Sequence, residues 1–201
     1  MKKLITVFLF IGYIQSTQAT LIDNGNFTTD TVAGFDWLDM SKTVGRSYLD
    51  VSSHFGEGGD FYGWRYATTF EVSGLVDGAG GNGFYYNWPV NNKQLQNVAV
   101  TNLLLDLMGK TFSNSSDYIY AMTSDIYMNN VDTRWLHLIQ TTYPSIDNGY
   151  VSLNSSHSYT WWNSKNVGSF LVRKTATIPE PSIIILFGIA LAGLSIIRIN
   201  H

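Results

Sequence analysis

The feature that most limits how this chain can fold is Pro179-Glu180-Pro181, set directly before a long uncharged run. Each proline fixes φ and lacks an N–H, and each pushes the residue before it into extended backbone. The tripeptide therefore suits neither a helix interior nor a central strand, and it divides the chain. From Pro181 to Ile197 there are 17 uncharged residues, followed by Arg198-Ile199-Asn200-His201. As a helix the run is roughly 25 Å long, near the short limit for spanning a bilayer. Gly188, Ala190, Ala192 and Gly193 are small residues of the kind common in membrane helices. Arg198 can extend its stem and hold its charge at the cytoplasmic face. The expectation is a transmembrane helix over residues 182–198, with the Pro-Glu-Pro segment held extended and accessible just outside the membrane.

The front of the chain reads as a second targeting segment. Met1-Lys2-Lys3 is a short basic stretch, Leu4 to Ile14 is an apolar run of 11 residues, and Thr17-Gln18-Ala19 ends it in a small-x-small pattern. That order and size match a secretory signal peptide cleaved after Ala19. An 11-residue run is about half the ~20 residues that a membrane anchor needs.

Residues 20–178 remain as one domain, long enough to bury its own core. They carry nine basic and fourteen acidic residues, about −5 against −3 for the whole chain. No basic patch is available to displace counterions from a phosphate backbone, so nucleic acid is not an expected partner. Cysteine is absent, which removes disulfides and thiolate metal sites. The core must therefore carry the stability. Low charge (13%) beside 6 Trp, 12 Tyr and 11 Phe suits an extracytoplasmic surface.

Within the domain, three helices are expected first. One covers Arg46–Phe55, with Tyr48, Val51 and Phe55 on one face. The second starts at Thr68, where Thr68-Thr69-Phe70-Glu71 fits a capping box and Val72, Leu75 and Val76 follow at helical spacing. The third covers Lys93–Met108, with Leu95, Val98, Ala99, Asn102, Leu103 and Leu107 as its stripe. The pattern then turns β-prone at Tyr118–Tyr127, Arg134–Thr142, Gly149–Leu153 and Val167–Val172, with Asp147-Asn148-Gly149 as a hairpin signal. Helices early and strands later give an α+β class with an antiparallel sheet.

Two resemblances follow from these residues. Pro179-Glu180-Pro181, the apolar helix and the basic end resemble the PEP-CTERM sorting signal, over residues 179–201. The usual cluster of arginines is reduced here to Arg198 and His201. The resemblance implies an exosortase (a membrane-embedded cysteine peptidase) as partner and a Gram-negative host. It also implies an inner-membrane-anchored precursor, then display on the outer surface or in the extracellular matrix, with exopolysaccharide and biofilm as the setting. In the middle, Asp30 to Leu38 with Trp37 is similar to a D-x-x-T-G-L-x-W-L opening, although Ala33 stands in place of Thr. Gly58 to Val72, carrying Gly63, Trp64, Arg65, Thr68 and Glu71, resembles the G-G-x-x-x-G-W-R-x-x-T-x-x-E-L block of Lcl C-terminal-type domains, with Ala67 where a proline often stands. Gly168 to Arg173 resembles their closing strand. These blocks imply a C-type-lectin-like domain, with Trp37 and Trp64 as structural residues and Arg65 paired to a carboxylate inside the fold.

Chemistry is sparse. A calcium-dependent sugar site wants converging oxygen ligands from Glu-Pro-Asn and Trp-Asn-Asp motifs. Trp162-Asn163 is followed by Ser164, and Glu180-Pro181 lies in the tag. His54, His137 and His157 lack metal-ligand spacing. No G-x-S-x-G elbow occurs, and Gly80-Gly81-Asn82-Gly83 is not followed by Lys-Ser/Thr. No metal or cofactor is expected. Glu57 and Glu71 are the only glutamates of the middle region, and Glu71 is accounted for as a cap. The reading is thus a non-catalytic binding or structural module linked to exopolysaccharide, the alternative being a secreted glycan-active hydrolase. Trp161 and Trp162 are the candidate ligand-stacking pair, since neighbours on a strand point to opposite faces and one of them would be exposed.

Overall fold

The computed structural model describes residues 21–81, 98–114, 116–142 and 149–176. Ala19 and the signal segment, Pro179, Glu180, Pro181, Arg198 and the expected helix 182–198, the start of the third expected helix and the Asp147-Asn148 turn all lie outside them. Among the described residues no helix is long and apolar enough to cross a membrane.

The class is α+β, with three α-helices and two sheets among the described residues. The described residues do not open with helices. From Leu21 they form three short strands, β1 (Leu21–Asp23), β2 (Phe27–Asp30) and β3 (Phe35–Leu38), in an antiparallel meander. Strands this short carry too few alternating positions to register as a period. Asp30 accepts from the backbone N–H of Val32 and Ala33 through Oδ1, and its carbonyl accepts from Gly34, which folds β2 back onto β3.

Helix α1 spans Tyr48–Ser53, with Ser47 accepting from the Asp50 N–H. After β4 (Arg65–Tyr66) comes α2 (Thr69–Gly78), which begins at the expected capping box: Thr68 takes the Glu71 N–H and Glu71 takes the Thr68 N–H. Val72, Leu75 and Val76 are buried as expected. Helix α3 (Val98–Met108) is rotated from its expected stripe. Val100, Thr101, Leu104, Leu105 and Met108 face inward, while Ala99, Asn102 and Leu103 are exposed. Leucines at 103, 104, 105 and 107 make the apolar pattern degenerate. The polar pair Asn102 and Asp106, four residues apart on the exposed side, marks the outer face.

The second sheet follows, in the order β5-β6-β7-β8: β5 (Phe112–Ser113), β6 (Ser116–Tyr127), β7 (Asn130–Thr142) and β8 (Gly149–Tyr159). The β6–β7 turn places Met128 and Asn129 at positive φ. One face of this sheet, with Ile119, Ala121, Ile139, Val151 and Leu153, packs in one core with α2, α3 and Trp37. The other side contributes Met122 and Leu136 to a second core with Leu38, Val51, Phe61, Trp64, Tyr66 and Leu171.

The expected single strand at residues 167–172 is two strands. β9 (Gly168–Ser169) runs parallel to β6, and β10 (Leu171–Lys174) lies between β3 and β4 in the first sheet. Phe170 is the joint. Its N–H donates to Met122 of β6, and its carbonyl accepts from Ala67 just after β4. Its ring is fully buried, edge-on to Trp37 at 6.3 Å.

Candidate binding surface

The three sequence blocks Asp30–Leu38, Gly58–Val72 and Gly168–Arg173 come together in space. Their strands β3, β10 and β4 are neighbours in one sheet, in that order. Arg173 ties all three. Its Nε donates to Asp36 Oδ2 at 2.9 Å, and its guanidinium lies 4.5 Å from the Trp64 ring centre and 4.9 Å from that of Phe27. Asp36 is buried and accepts from Thr29 and Thr175 as well. Trp37 and Trp64 are both buried. Gly63 sits at φ +80°, a conformation an L side chain resists. A Cβ on Gly59 would overlap the His54 carbonyl, so the backbone approach at that position requires glycine.

Arg65 does find a carboxylate, but at the surface. It is half-exposed and makes a two-pronged contact with both oxygens of Glu71. The Arg65 bond, with help from Thr68, holds the Glu71 carboxyl below the ordinary range against the opposing effect of burial. Glu71 is thus committed to a cap and an ion pair, and Glu57 stands on an exposed loop between α1 and β4.

Trp161 and Trp162 are not on a strand. They occupy the turn after β8, and both are exposed, at 63% and 37%. They do not divide between two faces because the chain has left the pleat at Thr160. The Thr160 N–H donates to the Asp132 carbonyl, and its own carbonyl accepts from Leu49. The Trp161 ring stacks on Tyr159 with centroids 5.2 Å apart. Trp162 instead walls a cleft of about 290 Å³ with Tyr120, Leu136, Ser156, His157, Ser158 and Tyr159. Next to it His157 stacks on Tyr127 at 3.8 Å, and Trp135 meets Tyr127 edge-on. The cleft combines aromatic faces with hydroxyls, and among the described residues its lining carries no carboxylate, lysine or arginine. Such a surface can take a flat, weakly polar ring by stacking and edge hydrogen bonds. Sequence reasoning reached Trp162 but missed Tyr159, Ser156 and Ser158, whose convergence depends on β8 running six residues beyond its expected end at Leu153.

The remaining titratable groups have other surroundings. His137 is fully buried, with Nε2 2.9 Å from Thr123 Oγ1 and 3.3 Å from Thr69 Oγ1. Burial pushes its pKa down to about 3, opposed by the charge of Asp125, so the ring is neutral. His54 lies beside Asp50 and Asp60, which also bind Arg46. Among the described residues no three His, Asp or Glu side chains group as metal ligands.

Comparison of the chain with family models, with curated proteins and with solved structures finds no match.

Proposed function

We propose that this is an exported envelope or extracellular-matrix protein of a Gram-negative bacterium. In this reading it is cleaved after Ala19 and then held at the inner membrane by residues 182–198. Pro179-Glu180-Pro181 presents it there to an exosortase, with Arg198 as the cytoplasmic stop. The observation that carries the reading is the three-part order in the sequence: proline-flanked tripeptide, a run of 17 uncharged residues, basic end. Residues 20–178 form a C-type-lectin-like module that binds or organises exopolysaccharide without catalysis. Support for the fold comes from the three resembling blocks, which lie far apart in sequence and adjacent in one sheet. The non-catalytic role is supported by Glu71, whose carboxylate is already engaged by Arg65 and Thr68. The cleft walled by Trp162 offers a sugar ring both a stacking face and hydroxyl partners.

The test is a pair of host strains, with and without the exosortase gene. The expected result is that deletion leaves the protein in the inner-membrane fraction, while the parent releases it to the outer surface or matrix. An identical distribution in both strains contradicts the sorting assignment.

A further inference from the structure

Trp162, Tyr159 and Trp161 carry an aromatic surface from inside the cleft to outside it. Trp162 and Tyr159 both line the cleft. Trp161 lies nearly flat on Tyr159, with the ring planes 15° apart, and stays mostly exposed. Tyr159 covers one face of that indole, so the exposed area belongs to the other face and the edges. The turn that carries the two indoles is tied down by backbone hydrogen bonds. The Thr160 N–H donates to the Asp132 carbonyl of β7, the Leu49 N–H of α1 donates to the Thr160 carbonyl, and the Trp162 N–H donates to the Tyr159 carbonyl. Rings held in this way need little ordering when a ligand arrives. Polar groups stand beside them. Among the described residues the hydroxyls of Ser156, Tyr120 and Tyr159, all in the cleft wall, have no hydrogen-bond partner, so each can donate or accept toward a ligand. An acyl chain or an apolar side chain would bury those hydroxyls unpaired, at a cost. A sugar offers a flat face to the rings and hydroxyls at its edge.

We infer, taking the Trp162 cleft as the sugar site proposed above, that it holds an uncharged glycan chain along its length, and not a lone sugar or an acidic polymer. Trp162 takes one ring of the chain inside the cleft, and Trp161 takes a neighbouring ring outside it. Two indoles joined through Tyr159 give the chain two stacking places, and the second engages at high effective concentration once the first is filled. Charge sets the class of glycan. Among the described residues the cleft wall has no lysine or arginine to meet a carboxylate. Arg134, the register partner of Ser158, is engaged elsewhere: its Nη1 donates to the Val131 and Thr133 carbonyls, and its guanidinium lies 4.4 Å from the Tyr48 ring centre. Residues 20–178 carry about −5, which repels a polyanion before contact.

The test applies the mature protein recovered from the host envelope to an array of neutral and uronic-acid oligosaccharides, from monosaccharide to tetrasaccharide, and titrates the neutral series that binds best. Neutral chains are expected to bind equally at low and high salt. Affinity should rise by at least about fivefold from monosaccharide to trisaccharide. Trp161→Ala should remove that rise, and Trp162→Ala should weaken binding severalfold at every length. Phe70→Ala, on the exposed side of α2, should bind as the parent does. Should a variant fail to fold, NMR on the unaltered protein gives the answer: a monosaccharide is expected to shift the indole N–H of Trp162 alone, and a trisaccharide those of both. Affinity independent of chain length, a preference for uronic acids, or a Trp161→Ala protein that keeps the rise overturns the inference and leaves the exopolysaccharide reading in place. Retention of no glycan at all overturns both, while the sorting assignment stands or falls separately on the exosortase strains.

Discussion

The first sheet collects strands of two to four residues from separate parts of the domain, whereas the second is built on three consecutive strands of eleven to thirteen residues, with two-residue β5 and β9 at its margin. The long strands hold by their own hydrogen-bond ladders. The short ones have few ladder bonds and are bound by side chains instead: Arg173 on Asp36 and Trp64, and Phe170 on Trp37. The difference teaches where sequence-specific residues are needed. Ladders tolerate many β-prone sequences, but a sheet assembled from distant short strands requires particular residues at particular places. The strands of the resembling blocks fall in the first sheet, except Gly168–Ser169, which forms β9 beside β6 in the second.

The largest expected effect tests the joint between the sheets. Phe170→Ala removes a fully buried ring that touches Trp37 and lies near His137. It should cost about 3–5 kcal/mol in chemical denaturation. A loss below about 1 kcal/mol would mean that the two sheets are stabilised separately.

Acid comes next, and it probes the face of the second sheet that packs on α2. The His137 pKa is pushed down from 6.5 to about 3 by burial. A depressed value means that the fold favours the neutral ring. The stabilisation is therefore complete above pH 6.5 and is lost as pH falls toward 3. Linkage places the total at about 3–5 kcal/mol. His137→Gln should flatten that part of the stability–pH curve, measured by denaturant midpoint at each pH. An unchanged slope would remove His137 as its origin.

A smaller effect is expected at the Arg65–Glu71 pair on the rim of the first sheet. Glu71→Ala removes half of the capping box and should cost about 1 kcal/mol. Because the Glu71 carboxyl is held below its ordinary range, this contribution is present above that range and fades as pH falls through it. Arg65→Ala should cost less, since that side chain is half-exposed.

The smallest stability effect is expected at the exposed aromatics. Trp161→Ala and Trp162→Ala should each change stability by no more than about 0.5 kcal/mol. Trp162→Ala should nevertheless reduce retention on host exopolysaccharide severalfold in co-sedimentation. Equal retention would leave the exopolysaccharide reading intact and move the site away from this cleft.

What could be read from the sequence follows the same division. The capping box at Thr68 and Glu71 was legible because it depends on contacts three residues apart. The α+β class was legible from composition along the chain. Strands β1–β3 were not, being three or four residues long, and neither was the break at Phe170, which depends on β4 and β6 arriving at the same point. The inward face of α3 was misread because four leucines obscure the period that Asn102 and Asp106 set. At the cleft, Trp162 was found as an aromatic of interest, but its partners come from β6, β7 and β8 and meet only through strand register.

The account turns on export followed by sorting at the proline-flanked stop, and the intact mass of the protein taken from the host's outer surface tests it most directly. The predicted mass corresponds to a chain that begins at Thr20 and has lost the apolar tail after Pro179-Glu180-Pro181. A mass that still includes His201, in a host that expresses the exosortase, would contradict it.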